Sequence, residues 1–470
     1  MRESSDVIRL SFDRGTLLLH GLDDHRLQSL FTAEEWTWDP RVSAWRREAI
    51  DYYDVVSVLQ RAFGDRFRDD VPSPSPPTWG KINLPTLRPE QQHALTAWRN
   101  ASGRGVIVMP TGTGKTEIAL AAMAQEQAAT LVVAPVRDLM YQWHRRILRG
   151  LSYDAGIVGD TMFNVKPVTV TTYDSAYIHM DKLGANFGLL VFDEAHHLPG
   201  KCRREAALLS AASLRLGLTA TPERSDGLHD LLDRLIGPVV YRMEMSGLRG
   251  RTLADYHVVR VPVALNEQER EAYDQAARTV RSYMAARSKE TTGYSWQDLC
   301  AETGSDPEAR KAQKAYFRKK SIEDRAEEKL RVLEDIFRLH VGERVIVFAG
   351  SNAMARDVSK RFLAPTLLSH SRKRERLAVL EGFTAGRFPV IVANQVLDEG
   401  VDVPAAKVAV VIGGQASTRQ AKQRLGRILR KTGNVRATLY EVVCEETKDV
   451  ERSRLRRQSD AYERTQHRRL

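Results

Sequence analysis

Met109–Thr116 reads MPTGTGKT and lies between an apolar run (Val106, Ile107, Val108) and a helix-prone segment, Glu117–Ala124. Strand, glycine loop and helix form the context in which such a loop binds phosphate. Gly112 and Gly114 let the backbone turn tightly and aim N–H groups inward, with Thr111 and Thr113 between and before them. The helix after the loop adds the positive end of its dipole. Lys115 is placed to reach β- and γ-phosphates, and the Thr116 hydroxyl to hold Mg²⁺. The pattern G-x-x-x-x-G-K-[ST] is incomplete, because Met109 stands at its first glycine. A coincidental glycine-rich turn is the competing reading, so the other half of an ATP site must be found elsewhere in the chain.

Asp193-Glu194-Ala195-His196 supplies one such half, directly after the apolar run Gly188–Phe192. An aspartate that ends a hydrophobic strand can hold Mg²⁺, and the adjacent Glu194 can orient and deprotonate an attacking water. Paired acids are common on surfaces; a glycine loop upstream and an apolar strand behind favour the catalytic reading here. Leu218-Thr-Ala-Thr-Pro222 ends a further strand, where hydroxyls could bridge the nucleotide site to a bound strand. Ala134–Arg137 and Thr171-Thr172-Tyr173 also end strands. Their hydroxyls, backbone N–H groups and the Arg137 guanidinium suit sugar–phosphate contacts, with ordinary loop caps as the alternative.

These residues need a sheet to place them. Strands are predicted at Val106–Met109, Thr130–Ala134, Val168–Thr172, Leu189–Phe192 and Leu214–Thr219, separated by helical lengths. Continuous apolar strands of this kind indicate a parallel sheet covered on both faces. Ligand sites on such sheets lie at the carboxyl ends of the strands, where the polar residues above fall.

The pattern changes near Tyr241. Tyr256–Leu265 reads as a strand and Asn266–Arg287 as a charged helix. Residues 288–328 look like a helical insertion, solvated on most faces, with DNA contact expected at a basic tip, Arg318-Lys319-Lys320. A second alternating unit comes next, with strands predicted at Glu343–Ala349, Pro389–Ala393, Lys407–Ile412 and Ala437–Val443. Two α/β units imply a cleft. In the second, Asp398–Asp402 closes a strand-loop and Gln423–Arg430 forms a basic helix, with Arg427 and Arg430 on one face. Such arginines are usually solvated, but here they could reach a γ-phosphate as fingers. From Lys448 the chain is arginine-rich and helical, either a solvated helix or a strip that docks on acidic surfaces.

Residues 1–70 look like a small separate domain: strands at Val7–Phe12 and Gly15–His20, a helix at Tyr52–Phe63, and between them Trp36, Trp38, Arg41, Trp45, Arg46 and Arg47. Aromatics with interleaved arginines suit stacking on bases and pairing with phosphates. The alternative is that the tryptophans fill a small core, leaving the arginines as the better DNA contacts. Val71–Pro77 is a Pro/Ser-rich linker, extended and semi-rigid. Leu87–Ala94 then begins a helix whose Gln91 carries the amide groups needed to read an adenine edge.

Composition bounds the rest. At 470 residues the chain suggests about two to four domains. No apolar run approaches the roughly 20 residues needed to span a bilayer, and MRESSDVIRL has no signal-peptide core, so a cytoplasmic protein with no membrane partner is expected. Cys202, Cys300 and Cys444 are far apart with no C-x-x-C, which excludes zinc-ribbon and cysteine-ligated iron–sulfur readings. A formal net charge of +11 and a pI near 9.5 favour a polyanionic partner.

In order, LRPEQQ, PTGTGKT, VVAPVRDL, VTVTTYDS, DEAH, LTATP, VFAGSN, VANQVLDEGVDVP and QRLGRILR resemble a superfamily 2 helicase motor over about residues 85–445. That family often lacks the first glycine of the loop. The resemblance implies that Gln91 recognises adenine, Lys115 and Thr116 hold phosphate and Mg²⁺, and Asp193 and Glu194 serve metal and water. It also implies that Gln423, Arg427 and Arg430 complete hydrolysis, while Gly400 and Asp402 couple nucleotide contacts to domain closure. Within the superfamily the chain resembles the compact prokaryotic form of the XPB group, in WTWDPRVSAWR, in LTATPER-SDG and in a charged insertion after NEQEREAYD. Those pieces imply a damage-recognition-like domain and a thumb-like element. The group's Arg-Glu-Asp motif appears as Arg224-Ser225-Asp226, with Ser225 in place of the acidic centre, and Arg224 is counted with the DNA contacts.

The expected fold is α/β: two RecA-like parallel-sheet motor domains with a small N-terminal α+β domain and a helical thumb-like insertion. The expected layout is an N-terminal domain at 1–71, a linker at 72–84 and motor domain 1 at 85–240. Motor domain 2 occupies 241–447, with the insertion at about 266–325, and a basic tail covers 448–470. The expected function is an ATP- and Mg²⁺-dependent 3′→5′ DNA helicase or translocase, nucleoid-associated, acting in excision-type repair or DNA opening. Single-stranded, forked or damaged duplex DNA would be its substrate, and a nuclease a partner protein. Its rivals are a duplex translocase that does not separate strands and an ATP-switched scaffold that recruits a nuclease.

Overall fold

The computed structural model describes residues 7–32, 35–224, 226–243, 256–368, 371–394, 406–414 and 437–457, and the chain divides into two compact units, Met1–Glu244 and Met245–Leu470. In the first, β1 (Ile8–Asp13) and β2 (Thr16–His20) make a hairpin, after which come α1 (Asp24–Leu30), β3 (Thr37–Asp39), β4 (Ala44–Glu48), α2 (Tyr52–Phe63) and β5 (Phe67–Asp69). The sheet order is β3-β4-β2-β1-β5, with β5 parallel to β1 and the other pairs antiparallel. Leu17 and Leu19 of β2 and Val55 and Leu59 of α2 meet in its core.

The tryptophans divide between the two readings. Trp36 is in the core at 4 % exposure, whereas Trp38 is 46 % exposed and meets Trp45 edge-on at 5.2 Å. The arginines are paired within the domain: Arg41 and Arg46 with Asp39, and Arg47 with Glu35 and Asp51.

This small domain is packed onto the first large sheet of the same unit. Ala185 and Ala211, from connections of that sheet, belong to its apolar cluster. A Cβ on Gly15 would sit 2.7 Å from Leu209, so the hairpin turn lies directly on that segment. Asp51, almost fully buried, is bracketed by Arg47 and by Arg234 from the next domain. The Pro/Ser-rich segment is likewise no free spacer. The Asn83 N–H donates to Gly150 O at 2.8 Å, Ser152 Oγ donates to Lys81 O at 2.7 Å, and Trp79 lies edge-on to Tyr153. Leu84 and Leu87 pack on the core beyond it.

The first large sheet arises from α3 (Pro89–Asn100), β6 (Arg104–Val108), α4 (Lys115–Glu126), β7 (Thr130–Ala134) and α5 (Arg137–Leu151). The chain continues through β8 (Gly156–Gly159), β9 (Met162–Asn164), β10 (Val168–Thr172), α6 (Tyr173–Leu183) and β11 (Leu189–Asp193). It ends with α7 (Glu205–Leu208), β12 (Leu214–Thr219), α8 (Leu231–Leu235) and β13 (Val239–Arg242). The order is β13-β6-β12-β11-β7-β10-β8-β9, parallel throughout except for the β8–β9 hairpin. All five strands expected from sequence are in it. The three not anticipated, β8, β9 and β13, are short and lack a long apolar run.

The second unit opens with β14 (Tyr256–Val263) and the helices α9 (Glu267–Glu290), α10 (Trp296–Glu302), α11 (Pro307–Asp324) and α12 (Glu327–Leu339). Then come β15 (Val345–Ala349), α13 (Asn352–Phe362), β16 (Thr366–Leu367), α14 (Lys373–Thr384), β17 (Val390–Ala393), β18 (Val408–Ile412), β19 (Ala437–Cys444) and a closing helix, Lys448–Arg457. Its sheet is fully parallel, in the order β14-β19-β18-β15-β17-β16.

One expectation is corrected here and one is narrowed. Lys319 is not part of an exposed basic tip: it is buried, with its ammonium over the rings of Tyr273 and Tyr316 at 5.7 and 5.8 Å. The helix from Lys448 is packed along one face over its described length, with Lys448, Glu451 and Arg454 exposed on the other. Asp449 forms a fully buried ion pair with Lys329 at 2.9 Å, Arg452 pairs with Glu323, and Ser453 Oγ donates to Glu441. Among the described residues no helix is long and apolar enough to cross a membrane. Lys329→Ala leaves the Asp449 carboxylate buried without its main counter-charge. It should destabilise the second unit by about 3–5 kcal/mol, read as a lower urea midpoint; a loss below about 1 kcal/mol would deny the pair a structural role.

Candidate functional site

β12 pairs in parallel with both β6 and β11, with Thr219 opposite Val108 and Leu218 opposite Asp193. That register brings three strand ends level: one leads into the glycine loop, one ends in Asp193-Glu194, and one ends at Thr219. Adjacent strands stand about 4.8 Å apart, so the loop and the acid pair flank β12 within reach of one bound phosphate group.

In the loop, Gly112 and Gly114 have φ of +84° and +79°, the region where a side chain is strained. A Cβ on Gly114 would also collide with Gln91 Nε2. Lys115 is buried, and its ammonium donates to Met109 O at 2.9 Å and to Pro110 O at 3.3 Å. Thr113 Oγ1 donates to Pro110 O at 2.7 Å, while Thr111 Oγ1 is buried with no hydrogen-bond partner among the described residues. Thr116 lies in the first turn of α4. Met109, which departs from the sequence pattern, is buried in the apolar core with an ordinary backbone, so no glycine is needed there.

The Gln91 amide does not stand open to an adenine edge. Its Nε2 donates to Thr113 O at 2.9 Å and to Gly114 O at 3.3 Å, and its Oε1 accepts from the Arg88 N–H at 2.8 Å. The Arg88 guanidinium donates to Thr113 O as well. Gln91 braces the loop from behind.

Asp193 is held at three points. Oδ2 accepts from the Trp143 indole N–H at 2.8 Å, Oδ1 from the Glu194 N–H at 3.1 Å, and its carbonyl from the Tyr173 hydroxyl at 3.0 Å. Burial, and then the Glu194 charge, push its pKa up to about 6, against the opposing pull of the Trp143 hydrogen bond and Lys115. A divalent cation beside it would reverse that shift. Glu194 has φ +47°, a left-handed conformation costly for a non-glycine residue and typical of functional sites. It is 7 % exposed, and its Oε2 has no hydrogen-bond partner among the described residues. Hard oxygen donors at Thr116 and Asp193, with an unsatisfied carboxylate oxygen beside them, suit Mg²⁺ and a polarised water.

A polar chain leads away from this pair. His196 Nδ1 lies 3.5 Å from Glu194 Oε2 and 3.1 Å from Thr219 Oγ1, which in turn donates to Thr221 O at 3.2 Å. The Arg224 guanidinium donates to His196 O at 2.6 Å and clasps the Asp226 carboxylate, holding that group down to about 2. Of the two hydroxyls placed between nucleotide and strand by sequence, that of Thr219 reaches the acid pair through His196, and Thr221 joins it through its backbone.

The candidate strand contacts divide. Arg137, first in α5, is exposed and pairs with Asp160 at 2.7 Å. Thr171 is fully buried with its hydroxyl donating to Val158 O at 2.7 Å, and Thr172 caps α6 by accepting from the Ser175 N–H. Thr172 thus fits the loop-cap alternative, while the Thr171 hydroxyl is used within the sheet. Gly400, Asp402, Gln423, Arg427, Arg430 and Ser225 lie outside the described residues. Sequence reasoning missed Trp143 and Tyr173, since an aromatic on the apolar side of a helix reads as core.

Comparison with known proteins agrees with this geometry. Residues 10–71 match the Xeroderma pigmentosum group B helicase damage recognition domain, residues 84–224 the Type III restriction enzyme res subunit, and residues 328–432 the helicase conserved C-terminal domain. The chain is 39 % identical over 423 residues to a DNA 3′-5′ translocase XPB2 of Sulfurisphaera tokodaii, covering 90 % of this chain and 95 % of that protein. It is 31 % identical to a DNA 3′-5′ helicase XPB of Kineococcus radiotolerans, covering 77 % of this chain and 60 % of that protein. The Hef helicase domain of Pyrococcus furiosus shares the fold, with a TM-score of 0.52 at 18 % identity, covering 77 % of this chain and 97 % of that one.

Gly114→Ala combines a positive φ with a collision against Gln91. Left-handed strain of about 1–2 kcal/mol alone predicts about a tenfold loss of nucleotide affinity. Titration with a fluorescent ATP analogue measures it, and unchanged affinity would remove the loop from nucleotide binding.

Proposed function

The chain belongs to the XPB helicase family, and from that premise we propose that it is an ATP-dependent 3′→5′ DNA helicase and translocase acting in excision-type repair or DNA opening. The observation that carries the reading is the level placement of the Lys115 loop and the unsatisfied Glu194 carboxylate on either side of β12. Backbone N–H groups of Thr111–Gly114 and the Lys115 ammonium take the phosphates. Thr116 and Asp193 would hold Mg²⁺, which would offset phosphate charge. Glu194 orients a water and takes its proton as the oxygen attacks the γ-phosphorus, whose bond to the β–γ bridging oxygen breaks so that ADP leaves. Arg427 and Arg430 supply the remaining positive charge at the γ-phosphate, with the Gln423 amide beside them completing hydrolysis, and Gly400 and Asp402 link the nucleotide to domain closure.

The His196–Thr219–Thr221 chain, with Arg224 on the His196 carbonyl, gives the nucleotide side a route to the DNA side. Arg137 and Arg224 are the strand contacts we propose. A DNA substrate places the protein at the nucleoid, and an excision role assigns strand cutting to a partner nuclease.

A second reading, duplex translocation without strand separation, is favoured by one observation. The Arg224–Asp226 clasp leaves no carboxylate between its two residues, since Ser225 stands there. ATPase rates with single-stranded DNA, duplex, fork and RNA, beside a labelled fork-opening assay, separate the two. Stimulation by single strands with fork opening supports the helicase; stimulation by duplex without opening supports the translocase. Strong stimulation by RNA alone counts against both. Glu194→Gln should bind ATP normally while turnover falls by about 10²–10⁴-fold; normal turnover would exclude Glu194 as the base.

A further inference from the structure

We infer that Trp143 is a positioning residue that sets the Asp193 carboxylate for its divalent cation, an inference that rests on the ATPase reading above. The Trp143 Nε1–H donates to Asp193 Oδ2 at 2.8 Å. The indole is buried in the apolar cluster with Val132, Val170, Met140 and Ile147, so the donor has no room to turn away. The Tyr173 hydroxyl fixes the carbonyl of the same aspartate at 3.0 Å, which removes the remaining backbone freedom. One carboxylate oxygen is therefore pinned by the indole. The other, which accepts only a backbone N–H among the described residues, is the oxygen left for the cation.

The choice of an indole has a physical reason. A lysine or arginine at this position would orient the carboxylate but also neutralise it, and so compete with the metal. An indole N–H is a donor without charge, so it fixes the rotamer and leaves the negative charge in place. Its own position is tied to the phosphate loop: Arg146, one helical turn further along α5, pairs with Glu117 of α4. Glu117 is the neighbour of Thr116, the other proposed ligand. The two oxygens expected to share the cation are thus carried on elements locked together beside Trp143.

A tryptophan that only filled the core would predict none of this, and the same core provides the comparison. Trp98 is also fully buried in this cluster, but its Nε1–H donates at 2.9 Å to Arg215 O. The measurement is the affinity of the full-length protein for a fluorescent, non-hydrolysable ATP analogue by anisotropy, with Mn²⁺ and with EDTA; the ratio of the two is the metal enhancement. Trp143→Phe should lower that enhancement about tenfold or more while leaving the EDTA affinity unchanged, as loss of a partner to a metal ligand does. Trp98→Phe should leave the enhancement within about threefold of the natural protein even where it lowers the melting temperature as much. An unchanged enhancement in Trp143→Phe, or equal losses in both variants, would overturn the inference. If Trp143→Phe does not fold, Trp143→Leu removes the same N–H and is judged by the same outcomes. Absence of any metal-enhanced binding in the natural protein would instead overturn the ATPase reading, which distinguishes the two failures.

Discussion

The parallel pairing of β12 with β6 on one side and β11 on the other is the constraint on which the site depends. Side chains alternate faces along a strand, and a one-residue slip would turn each functional residue to the wrong face and the wrong level. Because Thr219 is held opposite Val108 and Leu218 opposite Asp193, the glycine loop, the acid pair and the threonine hydroxyl end at one height. The strand interiors are fully buried and apolar, so this register is enforced by the core.

Around that frame the site is built from donors that hold other groups in place. Gln91 and Arg88 brace the loop carbonyls, Trp143 and Tyr173 hold Asp193, and His196 bridges Glu194 and Thr219. Among the described residues, the buried atoms left without a hydrogen-bond partner there include two that are expected to meet substrate, the Thr111 hydroxyl and Glu194 Oε2. Leaving buried polar atoms unpaired costs about 1–3 kcal/mol each, and left-handed Glu194 adds backbone strain. The surrounding hydrogen bonds keep that arrangement from relaxing.

The same logic joins the N-terminal domain to the first large sheet. Arg215, fully buried at the start of β12, donates to the carbonyls of Ala207, Ser210, Ala212 and Leu235. The first three carbonyls belong to the segment against which the β1–β2 turn packs, and Leu235 follows Arg234, which clasps Asp51. The damage-recognition-like domain is therefore docked through both an apolar core and a charged pair, and the segment beneath it leads back to the acid pair.

Sequence alone determined the two parallel sheets, the placing of the loop and acid pair at strand ends, and the family. Those signals are local: apolar runs of strand length, glycines where φ is positive, a lysine and two acids at strand ends. It also gave the helix Tyr52–Phe63 with its observed bounds, because a 3.6-residue period needs no partner to be read. Only the tertiary structure decided which polar side chains face the site and which serve the core. Thr171 and Thr172 looked like strand contacts, yet the Thr171 hydroxyl bonds across the sheet and Thr172 caps α6; Lys319 looked solvated and lies over two rings, and the helix after Lys448 looked like a tail and carries a buried ion pair. Trp143 looked like core and holds the Asp193 carboxylate. In each case the deciding partner is distant in sequence, and no local pattern records a contact made only when the sheet has closed.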